Sequence, residues 1–154
     1  MKKIHFISVI TLMIFGGCAN NQNDGIEKDV ANKIELACKE SDDCVIDLKS
    51  IAKFDWDKMY VFKYGVTSKD IDKIIGTPAG PYTEFTRKII FALKGKVVYK
   101  EENPSDIESL VNGEVVFEMP DTSTYQAYTS SQAKFIAHKK EFYKGIYYEL
   151  RLVQ

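Results

Sequence analysis

Covalent and metal chemistry in proteins draws mainly on Cys, His, Ser, Asp and Glu, and this chain of 154 residues has three cysteines and two histidines. His5 lies in an apolar N-terminal run, which leaves His138 as the histidine available to a folded domain. His138 sits in Lys134-Phe135-Ile136-Ala137-His138-Lys139-Lys140, an alternating stretch whose polar positions read as a solvated strand face. A zinc site needs Cys and His in clustered, tetrahedral-compatible spacing, and no such cluster occurs. A Ser–His–Asp arrangement would have to use His138, and there is no Gly-x-Ser-x-Gly elbow to present the nucleophile. Neither a Walker loop nor a Gly-x-Gly-x-x-Gly turn is present to cradle phosphates. Asp55 and Asp57 flank Trp56, but two carboxylates without further oxygen ligands do not define a cation site. The sequence therefore predicts no catalytic residues, no metal, no cofactor and no enzyme. The remaining enzymatic reading is an acid–base hydrolase using two of the 22 acidic residues, a pair that no motif places.

The start of the chain carries an address. Met1-Lys2-Lys3 is basic, Ile4 to Phe15 is mostly apolar, and Gly16-Gly17-Cys18 follows. A spanning helix needs ~20 apolar residues for a core of ~30 Å, so this run fits a secretory signal rather than an anchor. Phe15-Gly16-Gly17-Cys18 resembles the lipobox of bacterial lipoproteins, with Phe15 where an aliphatic residue is usual. The resemblance implies cleavage before Cys18, a diacylglyceryl thioether on its sulfur, and acylation of the new amine, as by palmitate. Two or more acyl chains anchor stably where one is marginal. It further implies a membrane-anchored lipoprotein of the cell envelope facing the periplasm, and Ala19 after the cysteine favours the outer membrane in a Gram-negative cell.

On this reading residues 1–17 are the signal peptide, 18–25 the lipidated cysteine and a polar, flexible tether, and 26–154 a single domain. Removing Lys2 and Lys3 with the signal leaves 19 basic against 22 acidic residues, a net charge of −3. That balance excludes an ordinary nucleic-acid binder, which carries a basic excess. With Cys18 lipidated, Cys38 and Cys44 remain in an oxidising compartment, so a disulfide between them is the default expectation. Free structural thiols and a redox-active pair are the alternatives, and the spacing is not the Cys-x-x-Cys of redox enzymes.

Aromatic residues are the other chemical resource. Trp56, the single tryptophan, precedes Lys58-Met59-Tyr60-Val61-Phe62-Lys63-Tyr64, whose alternating Tyr60/Phe62/Tyr64 face is either a partner-gripping patch or core filling. The stretch from Phe54 to Phe62 resembles one in other small bacterial lipoproteins of unknown function, over about residues 30–100. That resemblance implies no activity. Gly76 to Thr86 is rich in Gly and Pro and carries Tyr82 and Phe85. Pro120 to Gln132 is polar and carries Tyr125 and Tyr128. Both read as long loops, and Tyr mixed with Ser, Thr and Gln is the composition of adaptable binding loops. The candidate binding residues are thus Trp56, Tyr60, Tyr64 and Tyr82, with Phe85, Tyr125 and Tyr128.

The elements that must position them follow from periodicity. Ile26, Val30 and Ile34 make one stripe of a helix over 26–39, with Asp24 as cap. Residues 44–50, 58–64, 87–93 and 96–100 read as strands, the last two flanking a Lys94-Gly95 turn. Thr67-Ser68-Lys69-Asp70 opens a short helix that Gly76 and Pro78 stop, and Ser105 to Glu108 opens another. Strands over 114–119, 133–140 and 146–153 complete the chain. The expected class is α+β, with an antiparallel sheet of about six strands and the helices packed on one face. Such a domain, lacking a catalytic constellation, suits a non-enzymatic protein-binding module with a protein partner in the envelope: an immunity or inhibitor protein, or an accessory subunit of an envelope complex. The alternative is a small-ligand or cell-wall-fragment binder with a pocket lined by Tyr60, Tyr64, Tyr82 or Trp56.

Overall fold

The structure is a computed structural model that describes residues 25–38, 44–103, 110–143 and 145–154. The signal peptide, Cys18, all of the tether except Gly25, the Asp24 cap and the Ser105–Glu108 helix start lie outside the described residues. The elements run α1 (Ile26–Ala37), β1 (Cys44–Asp47), α2 (Leu48–Ile51), β2 (Lys58–Phe62), α3 (Ser68–Ile75), β3 (Arg87–Leu93), β4 (Lys96–Asn103), β5 (Glu114–Phe117), β6 (Tyr125–Thr129), β7 (Lys134–Phe142) and β8 (Gly145–Leu152).

The class is α+β, but the sheet count differs from the expectation. Among the described residues eight strands form two four-stranded sheets, ordered β1-β7-β8-β5 and β4-β3-β2-β6. All pairings are antiparallel except β5 with β8, which is parallel. One strand was read as a loop, and one strand is shorter than expected. Pro120 to Gln132 was expected to be a loop, and its middle is β6, paired along β2 from Lys58↔Thr129 to Phe62↔Tyr125. Residues 44–50 were expected to be one strand, and the strand ends at Asp47, whose side chain accepts the Lys49 N–H and starts α2. A short cap overrides the apolar run there.

Period-two alternation decides which face each strand buries. Met59 and Val61 of β2, with Ile89 and Phe91 of β3, face the first sheet and meet Phe135, Ala137, Tyr148 and Leu150 there. Ile26, Val30 and Ile34 of α1 close the same core. The alternate set, Tyr60, Phe62, Ile90 and Ala92, faces outward and is covered by Ile71 and Ile75 of α3. The helices therefore do not share one face, as had been expected: α1 belongs to the core between the sheets and α3 to the outside of the second sheet.

Each helix end has an identifiable stop or start. Thr67 Oγ1 accepts the Asp70 N–H at 3.2 Å, and Gly76 ends α3 at φ 82°, a left-handed value that glycine adopts without penalty. The start of α1 has no side-chain cap of its own. Instead the Ile26 N–H donates to Glu101 Oε2 at 2.6 Å and to Tyr99 Oη at 3.2 Å, both on β4. Cys38 and Cys44 form the expected disulfide, with Cα atoms 5.4 Å apart, and tie the end of α1 to the edge strand β1.

Candidate functional site

The seven aromatic candidates divide by the face on which they fall. Trp56 is 7% exposed and stands edge-on to Phe91, with ring centroids 4.9 Å apart, so it fills the core between the sheets. Tyr128 is 4% exposed and edge-on to Phe135. Burial pushes its phenol up to about 12, because an anion there would lose its hydration. Tyr60 is buried beneath α3. These three rings are core residues rather than surface contacts, which corrects their reading as binding residues. A cavity of about 340 Å³ does lie beside Trp56, lined by Lys49, Ala52, Lys53, Phe54 and Asp55, and neither Tyr60 nor Tyr82 borders it.

Tyr64, Phe85 and Tyr125 are different: they are 47%, 60% and 38% exposed. They converge at one end of the outer face of the second sheet. Tyr60 and Phe62 stack with centroids 6.2 Å apart, and Phe62 stacks on Tyr125 across the β2–β6 pair at 5.8 Å. Tyr64, two residues beyond Phe62 on the same face, packs on Phe85 at 5.5 Å. The result is an aromatic row that starts buried under α3 and runs out into solvent.

Phe85 reaches this row at a conformational cost. Its φ is 58°, a left-handed value that is a genuine outlier for a bulky residue. The segment leading to it is pinned from both sides. Asp72 Oδ1 accepts the Ala79 N–H at 2.8 Å, Lys100 Nζ donates to the Pro81 carbonyl at 3.0 Å, and Glu102 Oε2 accepts the Thr83 N–H at 2.7 Å. Tyr82 lies inward, with Lys100 Nζ 4.9 Å from its ring centre. Burial first, then Asp72 and Glu102, push its phenol up to about 12. Beneath it Lys88 is fully buried and donates to the Thr86 carbonyl at 2.8 Å. Burial holds its amine below the usual lysine range, against the pull of Glu102. Tyr82 thus supports the strap that carries Phe85.

Sequence reasoning missed a polar cluster at the opposite face. Glu27, on the apolar side of α1, is 7% exposed. It accepts from Asn103 Nδ2 at 2.5 Å and lies 3.8 Å from Arg87. Arg87 also bonds Glu114 and donates to the Val115 carbonyl at 3.1 Å. Burial pushes the Glu27 carboxyl up to about 7; Arg87 and Asn103 pull it down, and Glu101 and Glu114 push it up. A groove of about 320 Å³ runs beside it. The available signal was Glu27 standing directly after Ile26 at the start of an otherwise apolar stripe. Among the described residues no group of three or more His, Cys, Asp or Glu is placed to hold a metal ion. His138 lies on β7 opposite Glu149 of β8.

Fold and geometry together define a two-sheet α+β domain that presents an organised aromatic row on one outer face. The chain matches no known family model, no curated protein and no solved structure. Among the described residues no helix is long and apolar enough to cross a membrane.

Proposed function

We propose that this chain is an envelope-anchored lipoprotein, tethered to the membrane through Cys18, that acts as a non-enzymatic protein-binding module through Tyr64, Phe85 and Tyr125. The observation that carries the reading is Phe85. Its ring is 60% exposed on a backbone at φ 58°, at the end of a segment that hydrogen bonds pin at Ala79, Pro81 and Thr83. Exposing an apolar ring and straining its backbone both cost stability, of order 1–3 kcal/mol for the strain alone. Such costs cluster at sites that engage another molecule. Aromatic side chains, Tyr above all, supply much of the energy at protein interfaces, at little entropy cost because they have two rotatable bonds. Within this class the protein is an immunity or inhibitor lipoprotein facing an incoming toxin or hydrolase, or an accessory subunit of an envelope complex.

Cross-linking the lipidated protein in its own envelope, followed by affinity capture and mass spectrometry, tests the reading. One stoichiometric protein partner is expected with the wild type. Its loss is expected in a Tyr64→Ser, Phe85→Ser, Tyr125→Ser variant. Recovery of no partner despite efficient cross-linking, or equal recovery by the variant, would remove the proposal. Separately, Cys18→Ser should move the protein to the soluble fraction, and persistence at the membrane would remove the anchor.

A further inference from the structure

Sheet edges expose unpaired backbone groups, and proteins guard them with charges, bulges, prolines, short strands or covering elements. Three of the four edges here are guarded. β1 and β5 are four residues long. β4 carries a register irregularity opposite Phe91/Ala92, together with Lys96, Lys100, Glu101 and Glu102. Among the described residues β6, five residues long, carries no charge, proline or register irregularity. From Thr122 to Ala133 the chain has no charged residue and no proline.

The backbone groups on the free side of β6 can be assigned. Lys63 N–H donates to the Thr124 carbonyl and Ser130 N–H to the Asp57 carbonyl, so positions 124, 126, 128 and 130 point toward β2. Positions 125, 127 and 129 point away. Thr129 is already satisfied: its N–H donates to Gln132 Oε1 and its carbonyl accepts from the Gln132 and Ala133 N–H groups. That leaves the N–H and C=O of Tyr125 and Ala127, on two exposed residues, aimed off the edge.

We propose that β6 pairs antiparallel with the β6 of a second copy of this chain, about a two-fold axis at Gln126. The free groups match this pairing without remainder. Tyr125 faces the partner's Ala127, and Ala127 faces the partner's Tyr125. Each pair exchanges two N–H···O bonds, and Gln126 meets the partner's Gln126 at the non-hydrogen-bonded position between them. The large Tyr125 ring lies beside a small alanine, and no like charges oppose one another. The two four-stranded sheets become one continuous sheet, and the aromatic rows of both copies lie on the same face. This inference stands on the edge geometry and does not depend on the function proposed above.

Disulfide trapping of the full chain in its own cells tests it. At a non-hydrogen-bonded antiparallel pair the Cα atoms are ~4.5 Å apart, close enough to bridge. Gln126→Cys should give a covalent homodimer under mild oxidation, and Ser131→Cys, more exposed but outside the pairing, should not. Adding Ala127→Pro, which removes an outward N–H and no bond to β2, should lower the trapped fraction about tenfold or more. Adding Ala127→Lys instead sets the two lysines diagonally across the axis and should also lower the trapped fraction, which keeps the test open if the proline variant fails to fold. No Gln126→Cys dimer, equal trapping at both positions, or trapping onto a different protein alone would each overturn the proposal.

Discussion

The two faces of the second sheet are built from the same four strands and end in opposite ways. The inner face, with Met59, Val61, Ile89 and Phe91, is covered by the first sheet and α1 and is at most 4% exposed. The outer face begins equally dry at Tyr60, Phe62 and Ile90 under α3, then runs past the eight-residue helix into Tyr64, Phe85 and Tyr125. Alternation along β2 supplies both faces; what differs is the length of the cover. An inner face of this kind spends its apolar area on stability. An outer face with too short a cover keeps apolar area available for another molecule.

Four substitutions sharpen that contrast, from the largest effect down. Phe91→Ala, on the inner face, should cost about 3–5 kcal/mol in denaturant unfolding, because its cavity is ringed by Phe54, Trp56 and Tyr99 and cannot collapse. A loss under 1 kcal/mol would mean the inner face is loosely packed. Next is the pH dependence of the polar cluster below that face. Glu27 is raised in the fold from its ordinary 4.5 to about 7, so the folded state holds a proton that the unfolded chain releases. Its contribution is complete below pH 4.5 and is lost as pH rises through 7. The loss is on the order of 3 kcal/mol between pH 4.5 and 8. Glu27→Gln should flatten that slope, and an unchanged slope would assign it to other groups.

Thr67→Ala removes the cap of α3 and should cost about 1 kcal/mol, since it strikes the cover of the outer face. Phe85→Gly should have the smallest effect on stability and the clearest meaning. Glycine accepts φ 58° freely, so stability should stay level or rise by up to ~1 kcal/mol while partner capture falls about tenfold or more. Lost stability with intact capture would invert the assignment of the two faces.

Much of the inner face was legible in the sequence, because it is made by periodicity. The stripe Ile26, Val30, Ile34 and the alternation in residues 58–64 and 146–153 identify their elements without help. The cap at Thr67 and the stop at Gly76 are local chemistry and are equally readable. What could not be read was set by distant partners. β6 looks like a loop because Ser and Thr surround it, and only pairing to β2 makes it a strand. The division into two sheets depends on which strand ends adjoin, a fact carried by no single segment. Within the site, Tyr60 and Tyr64 are the same residue type two alternations apart, but β2 ends at Phe62, so Tyr60 is a core ring under α3 and Tyr64 a surface ring in the turn beyond the strand. Trp56 followed the core alternative, as large rings usually do when a sheet faces them, while Tyr128, read as a loop residue, is a core ring because β6 is a strand.

The position of β8 has a kinetic consequence. It is the last element in the chain, yet it lies in the middle of the first sheet, between β7 and β5. β1 must wait for β7 as well, a closure from Cys44 to Ala137. A fold dominated by such distant pairings forms slowly, and this sheet has no closed form until its final strand has arrived. The second sheet, drawn wholly from residues 58–129, does not share that wait, so it can pair while β1 and β5 still lack the strands that join them.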